Sequence, residues 1–464
     1  MKDKIFTSEH FSILKHLLRW TFIIIPIAIV IGSTVAFFLW LLNFVIHFRF
    51  RNPYTLYFLP LAGVLIYFIY KLAGGNAEKG NNLIIDEIHE PGGGVPKRMA
   101  PIVLITTIIT HLFGGSAGRE GTAVQIGGSI AQMFGNWFGL NENDTSIVLM
   151  AGVAAGFGAV FGTPLTGAIF ALEVLTLGRI QYNALLPCLI ASVIGDVTVA
   201  AWGVHHTAYH IDVFIITPHW FSAWLPVDFV LLFKIIIASA AFGLASYLFA
   251  YMVHGIKTFF VKQVSVPWLI PVLGGLLIIS ITMLIGKPDY LSLGVDAEHA
   301  GAVTIPSAFQ AGGADTWSWL WKTIYTTITL GTGFKGGEVT PLFYIGATLG
   351  NTLSVLMDAP VGLFAALGFI AVFAGATNTP LACTIMGVEL FGGQYVLFFA
   401  VACFTAYFFS GHSGIYGAQR IGVPKITGSR FSDSATLSEA GNRRQNYVRH
   451  KMKKYGLWTR NKNK

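Results

Sequence analysis

Apolar residues run along this chain in long tracts of bilayer-spanning size. Phe22 to Val45, Tyr54 to Leu72, Val230 to Val253, Trp268 to Ile285 and Val396 to Ser410 are apolar almost throughout, and about 20 such residues suffice to cross a membrane as a helix. The pattern predicts one polytopic helical domain, spanning 1–430, with several spans. The first tract is too long for a signal peptide, lacks a small-residue cleavage site and is followed by further spans.

Between the tracts lie runs that are poor in helix formers. Gly114-Gly115-Ser116-Ala117-Gly118 and Gly331 to Gly337, with four glycines, interrupt apolar sequence, so broken helices are expected there. Irregular backbone at membrane depth is tolerated only where protein buries it or where it lines a wet cavity. The N–H groups freed at a helix start attract anions.

The interruptions belong to an internal repeat. Gly118-Arg119-Glu120-Gly121-Thr122 leads to Thr163-Pro164-Leu165 and then Glu173; Gly336-Gly337-Glu338-Val339-Thr340 leads to Thr379-Pro380-Leu381 and then Glu389. Nine positions separate proline from glutamate in both copies (173−164 and 389−380). The halves fall at approximately 20–215 and 225–420. Repeats with Gly- and Pro-interrupted segments at matching places mark transporters whose substrate site lies between the repeats; close glycine packing of membrane helices is the structural alternative. The repeat alone leaves parallel and inverted arrangements open.

Composition agrees with a lipid solvent: 54% of the 464 residues are hydrophobic and 11% charged, against about 25% charged in soluble domains. The net charge of +8 is concentrated in a C-terminal tail, 431–464, with nine Lys and Arg between Arg443 and Lys464. Short basic flanks stay cytoplasmic, so the tail is expected inside, against anionic lipid and not nucleic acid. Cys188, Cys383 and Cys403 lie in apolar tracts without paired spacing, giving neither a disulfide framework nor a zinc site.

The candidate chemistry is acidic. Glu120, beside Arg119 in apolar sequence, is an ionisable group at membrane depth and hence a functional candidate. At a helix start the dipole favours its anion and burial its neutral form, a balance suited to moving protons; a fixed ion pair with Arg119 is the structural alternative. Glu338 holds the matching place, as a second proton group or a helix cap. Glu173 and Glu389 are read as helix-end residues near the membrane interface. Ser116 fits a Gly-x-Ser-x-Gly pattern, but without a preceding strand. His205, His206 and His210 have spacing compatible with a metal, though solvated loop histidines are the simpler reading, and no metal is expected. No phosphate-cradling loop occurs, and no cofactor is expected.

Several of these motifs resemble those of the CLC anion channels and proton-coupled antiporters. Gly118 to Thr122 is similar to the family's Gly-Arg-Glu-Gly-Pro, Gly337-Glu338-Val339-Thr340-Pro341 to its Gly-x-Phe-x-Pro, and Ala151 to Glu173 to its next characteristic segment. Tyr416 in Ser413-Gly414-Ile415-Tyr416 is similar to the tyrosine at the central anion site. The resemblance, over roughly Trp20 to Gln419, implies an all-α fold of two inverted-repeat halves with tilted, broken helices. It also implies a homodimer and a gating role for Glu120, which competes with the anion when ionised and swings away when protonated. Asn81, Gly121, Val339, Thr340 and Tyr416 fall at its anion-contacting positions.

The departures point to a subgroup. Gly80-Asn81-Asn82-Leu83-Ile84 stands where chloride-type members carry Gly-Ser-Gly-Ile-Pro, Glu338 is new, and Val174 replaces the inner proton glutamate. Together these resemble the fluoride-exporting CLC proteins. Small, strongly hydrated fluoride suits the hydrogen-bond donors of Asn81 and Thr340. The expected function is fluoride export against inward protons, near one for one; the alternative is a chloride channel or chloride/proton antiporter. A membrane enzyme and a non-transporting scaffold are the other classes weighed. No nucleotide-binding regulatory domain is expected after the membrane part.

Overall fold

The structure, a computed structural model, describes residues 2–211, 228–426, 435–441 and 443, with side chains from residue 9. Fifteen α-helices occur among the described residues. In chain order they are α1 (Lys2–Arg51), α2 (Leu59–Ile69), α3 (Asn81–His89), α4 (Met99–Leu112), α5 (Glu120–Trp137), α6 (Glu142–Phe161), α7 (Pro164–Glu173) and α8 (Leu185–Ala201), then α9 (Phe229–Gln263), α10 (Leu269–Ile285), α11 (Ser318–Gly331), α12 (Val339–Met357), α13 (Val361–Thr377), α14 (Pro380–Phe391) and α15 (Val396–Phe409). Among the described residues, strands are confined to a two-residue parallel pair, β1 (Thr176–Leu177) with β2 (Arg420–Ile421). Among the described residues, six helical segments are long and apolar enough to cross a membrane by length and composition. The tracts at Trp268–Ile285 and Val396–Ser410 form the shorter α10 and α15.

Neighbours repeat between the halves. α4 packs on α5 as α11 packs on α12; α5 lies on α6 as α12 on α13; α1 leans on α6 and α8 as α9 leans on α13 and α15. The breaks have one local cause in each half. α6 ends on left-handed Gly162 and α13 on left-handed Asn378, conformations that stop a helix and suit these residue types. Thr163-Pro164 and Thr379-Pro380 then restart the chain, with proline in the first turn, where its missing N–H costs nothing and its φ is already helical.

The restarted helices are capped across the halves. Glu389, near the end of α14, accepts the N–H groups of Leu165 and Thr166 at 2.8 Å each, and Glu173, ending α7, accepts those of Leu381 and Ala382 at 3.1 and 2.8 Å. Each carboxylate therefore satisfies orphan donors of the other half's helix. Glu173 is buried within the protein, 8% exposed. A second reciprocal contact lies at the start of the repeats: Gly118 and Gly337 exchange N–H···O bonds of 2.6 and 2.8 Å in an antiparallel bridge.

Close crossing depends on glycine in both halves. A Cβ at Gly127 would meet the Gly152 carbonyl oxygen at 2.1 Å, and one at Gly346 would meet that of Gly368 at 2.0 Å. With such pairs at the α5–α6 and α12–α13 crossings, backbones approach as small residues permit in membranes. Outward faces carry exposed Phe22, Phe44, Phe233 and Leu284, a surface for lipid rather than water. The stretch expected as a separate tail begins docked: Ile421 and Leu437 N–H groups donate to Ala435 and Gln419 carbonyls at 2.9 Å, and Ala435 and Leu437 are buried. Arg443 apart, the tail's basic residues lie outside the described residues, as does 212–227 between the halves.

Candidate functional site

α5 begins at Glu120 and α12 at Val339, directly after the glycine bridge, so both helix starts face the molecule's centre. The Glu120 carboxylate, 1% exposed, crosses to the other half. Its Oε2 accepts the N–H of Thr340 at 3.0 Å and that of Arg119 at 3.1 Å, while its Oε1 accepts the Thr340 hydroxyl in a very short bond. The Arg119 guanidinium stays further off, Nε to Oε1 3.7 Å, with Nε making no hydrogen bond. The dominant partner is thus the first turn of α12, where the helix dipole favours an anion. A group that holds a carboxylate through N–H and O–H donors can equally hold a small anion once the carboxylate leaves.

Glu338 caps α12 by position, but without a side-chain cap bond. Its Oε2 is buried and has no hydrogen-bond partner. Asn81, the first residue of α3, likewise leaves Oδ1 buried and unpartnered. The two meet over Gly121: a Cβ there would lie 3.1 Å from Asn81 Nδ2 and 3.6 Å from Glu338 Oε2. Three helix starts, those of α3, α5 and α12, therefore share one small region, and buried unsatisfied polar atoms are costly enough to ask for a partner. Val339 and Thr340 are buried beside them, 1% and 3% exposed.

Tyr416, 4% exposed, belongs to the chain after α15 and is close enough to Glu120 and Glu338 to feel their charge. That segment is tied to both halves. Ala418 N–H donates to Asn82 Oδ1 at 3.0 Å, and the Gln419 amide donates to the carbonyls of Val174 and Thr377 at 2.9 and 3.1 Å. All seven residues singled out from the sequence, Glu120, Glu338, Asn81, Gly121, Val339, Thr340 and Tyr416, thus lie around one centre.

The decoys sort differently. The Ser116 hydroxyl is fully buried and bonds to Thr326 Oγ1 at 2.9 Å, not to a histidine. No cluster of three or more metal-ligating side chains occurs among the described residues. His206 instead stands 3.8 Å from Asp196. The three cysteines are buried and free.

A family model described as "Voltage gated chloride channel" matches residues 60–411. The chain belongs to this family, the CLC family. Among its relatives, the "Chloride/fluoride channel protein" of Pseudomonas syringae pv. tomato is 44% identical over 420 residues, 90% of each chain. A solved structure described as that of "a CLC-type fluoride/proton antiporter" superposes with a TM-score of 0.80 at 34% identity, covering 87% of this chain and 98% of that one. A slow cyanobacterial Cl−/H+ antiporter structure shares the fold at 20% identity, with a TM-score of 0.68 over 84% and 94% of the two chains. The expected all-α, inverted-repeat CLC fold is thereby established, and this is a multi-pass membrane protein of a transporter family.

Two buried groups of this CLC protein escape the sequence reading. Lys322 in α11 is fully buried and donates to the carbonyls of Tyr290, Leu291 and Ser292 at 3.1, 3.4 and 2.8 Å. His111, also buried, bridges Ser292 Oγ at 3.0 Å and the Gly118 carbonyl at 3.4 Å. They link the loop after α10 to the glycine bridge. An ionisable residue inside an apolar helix is the signal that singles out Glu120, and Lys322 carries it equally.

Proposed function

We propose that this protein exports fluoride from the cytoplasm in exchange for inward-moving protons, near one for one. The observation that carries the reading is the Glu120 carboxylate, buried and held by the Thr340 N–H and hydroxyl at the start of the opposite half's helix. Ionised, Glu120 occupies the donors that an anion needs. Protonated, it loses the charge that the helix start favours and gives up those donors. Proton binding and anion binding are then alternatives at one place, which is the requirement for exchange. Asn81, Gly121, Val339, Thr340 and Tyr416 form the anion site in this reading, and Glu338 assists the inner proton step that Val174 cannot perform.

The names of the Pseudomonas relative and of the superposed antiporter support fluoride as the ion. So does chemistry: hydroxyl and amide donors offset the loss of a strongly hydrated ion's water better than apolar walls do. The working form in this proposal is a homodimer in the cell membrane, with a pathway in each subunit and the basic tail on the cytoplasmic side. Purified protein in fluoride-loaded liposomes tests the reading. Fluoride efflux is expected to draw protons in, to exceed chloride efflux, and to lose its proton movement in Glu120→Gln. Efflux without proton movement, or unaltered proton uptake by Glu120→Gln, rejects it.

A further inference from the structure

The chain following α8 covers one face of the Glu120 site. From Gly203 to Ile211 it runs without regular structure, anchored by Tyr209, whose ring lies 5.2 Å from that of Phe369 and 5.7 Å from that of Phe309. Beneath it is a cavity lined by Arg119, Glu120, Thr340, Phe343, His206 and Tyr209, among others. Arg119, Glu120, His206 and Tyr209 are the ionisable side chains on that wall, and Glu120 itself is 1% exposed. His206 reaches further out, with its side chain 23% exposed, and on its other side faces Asp196 of α8, itself 27% exposed, with Nε2 3.8 Å from the carboxylate. The ring packs on the end of α6, where a Cβ on left-handed Gly162 would come within 2.5 Å of its Cδ2, and its Nε2 is buried without a hydrogen bond.

We propose that His206, with the Asp196 carboxylate beside it, is the proton relay between the solution beyond this segment and Glu120. The inference rests on the antiport reading and supplies the residue that reading lacks, a carrier into a site closed to solvent. A proton taken up by the imidazole from solution is passed across the cavity to a Glu120 carboxylate oxygen; the ring returns to neutral and Glu120 becomes the acid. Asp196 stabilises the transient imidazolium. The groups facing His206 are Arg119 and Glu120 from the start of α5, Asp196 from α8 with Glu389 acting on it, and His205 on its own segment; Asp296 acts on neighbouring Tyr209. Burial, with Arg119 and His205 adding to it, lowers the His206 imidazole from its ordinary value. The resting ring is therefore neutral, and it carries a proton only in passing.

The test uses full-length protein in liposomes, measuring fluoride and proton fluxes together against external pH. His206→Gln, which does not titrate, is expected to slow coupled exchange roughly tenfold or more at neutral external pH. The deficit should shrink in acid, where Glu120 is protonated directly, and the fluoride-to-proton ratio should not change. His206→Glu restores a titrating group and is expected to recover much of the rate with a displaced pH profile; Asp196→Asn should fall between. Wild-type flux in His206→Gln at every pH overturns the relay and leaves antiport standing. Equal slowing in His206→Gln and His206→Glu, insensitive to external pH, assigns the ring a packing role and overturns it too. Fluoride efflux without protons from the unsubstituted protein removes both readings.

Discussion

Thr340 meets Glu120 twice, through its backbone N–H and its hydroxyl, and only the second contact depends on the side chain. Thr340→Val keeps the shape and the N–H but removes the hydroxyl. Hydrogen bonds to a charged group contribute about 1.5–3 kcal/mol, so the variant is expected to weaken fluoride-driven exchange about tenfold or more, while Thr340→Ser stays near wild type. Flux against fluoride concentration checks this, and equal curves for the two variants would remove the hydroxyl from the site. At the surface, His299 illustrates a pH effect of known sign. Its imidazole is raised first by the bond to the Ala300 carbonyl, against some burial, and then by Asp289, whose Oδ1 lies 2.8 Å away. A raised folded-state value means that the contribution is complete below the unfolded value of about 6.5 and fades as pH rises through the folded one. The side chain is 43% exposed, so the effect is small. The expected result is that the loop between α10 and α11 becomes more protease-sensitive from pH 6 to pH 8 in wild type, with a smaller change in His299→Gln.

At the scale of helices, the reciprocal caps make a prediction that neither carboxylate makes alone. Removing Glu389 leaves the Leu165 and Thr166 N–H groups without an acceptor, and removing Glu173 does the same to Leu381 and Ala382. An unsatisfied buried donor costs roughly 1–3 kcal/mol. Glu173→Ala should therefore lower stability by about 2–4 kcal/mol, Glu389→Ala by less because the Leu165 and Thr166 donors are exposed and part-buried, and Glu389→Gln by less again because an amide oxygen still accepts. Thermal unfolding in detergent reads this directly; a transition unmoved by either alanine would show that water or lipid headgroups replace the caps. The sequence displays half of this arrangement. The Thr-Pro-Leu restarts and the nine-residue spacing to each glutamate are visible in it, because proline and left-handed cap residues act locally. That Glu173 serves α14 and Glu389 serves α7 is not visible, because the partner of a helix end is chosen by packing between segments more than 200 positions apart (381−173 and 389−165). The shortness of α10 and α15 is hidden for a related reason: an apolar tract shows how much chain avoids water, not how much runs at bilayer depth.

Over the whole molecule, the legible part of the site is its pair of acids at equivalent points of a repeat, and the hidden part is their convergence. Gly118 and Gly337 are 219 positions apart (337−118), yet their mutual hydrogen bonds fix the start of α5 against the start of α12. Lys322 is legible as an ionisable residue within an apolar helix, whereas its carbonyl partners and the Ser292 partner of His111 exist only once the loop at 290–292 is folded over them. The bridge supplies a test of the shared centre. A Cβ on Gly337 would sit 2.7 Å from the Gly121 nitrogen and 3.2 Å from that of Glu120, and these are backbone atoms that no rotamer change moves aside. Gly337→Ala must therefore open the bridge or displace the first turn of α5, carrying Glu120 away from Thr340. The glycine crossings at Gly127–Gly152 and Gly346–Gly368 hold the helices elsewhere, so the variant should still fold. A misplacement of about 1 Å in a reacting group costs roughly a hundredfold, and a loss of that order in coupled fluoride and proton flux is expected, with only a small change in thermal stability. Gly135→Ala, in the same helix α5, is the control: its new Cβ would have nothing nearer than Thr145 at 3.9 Å, and transport should survive. Were Gly337→Ala to transport like Gly135→Ala, the two halves would not be joined in one site at this bridge.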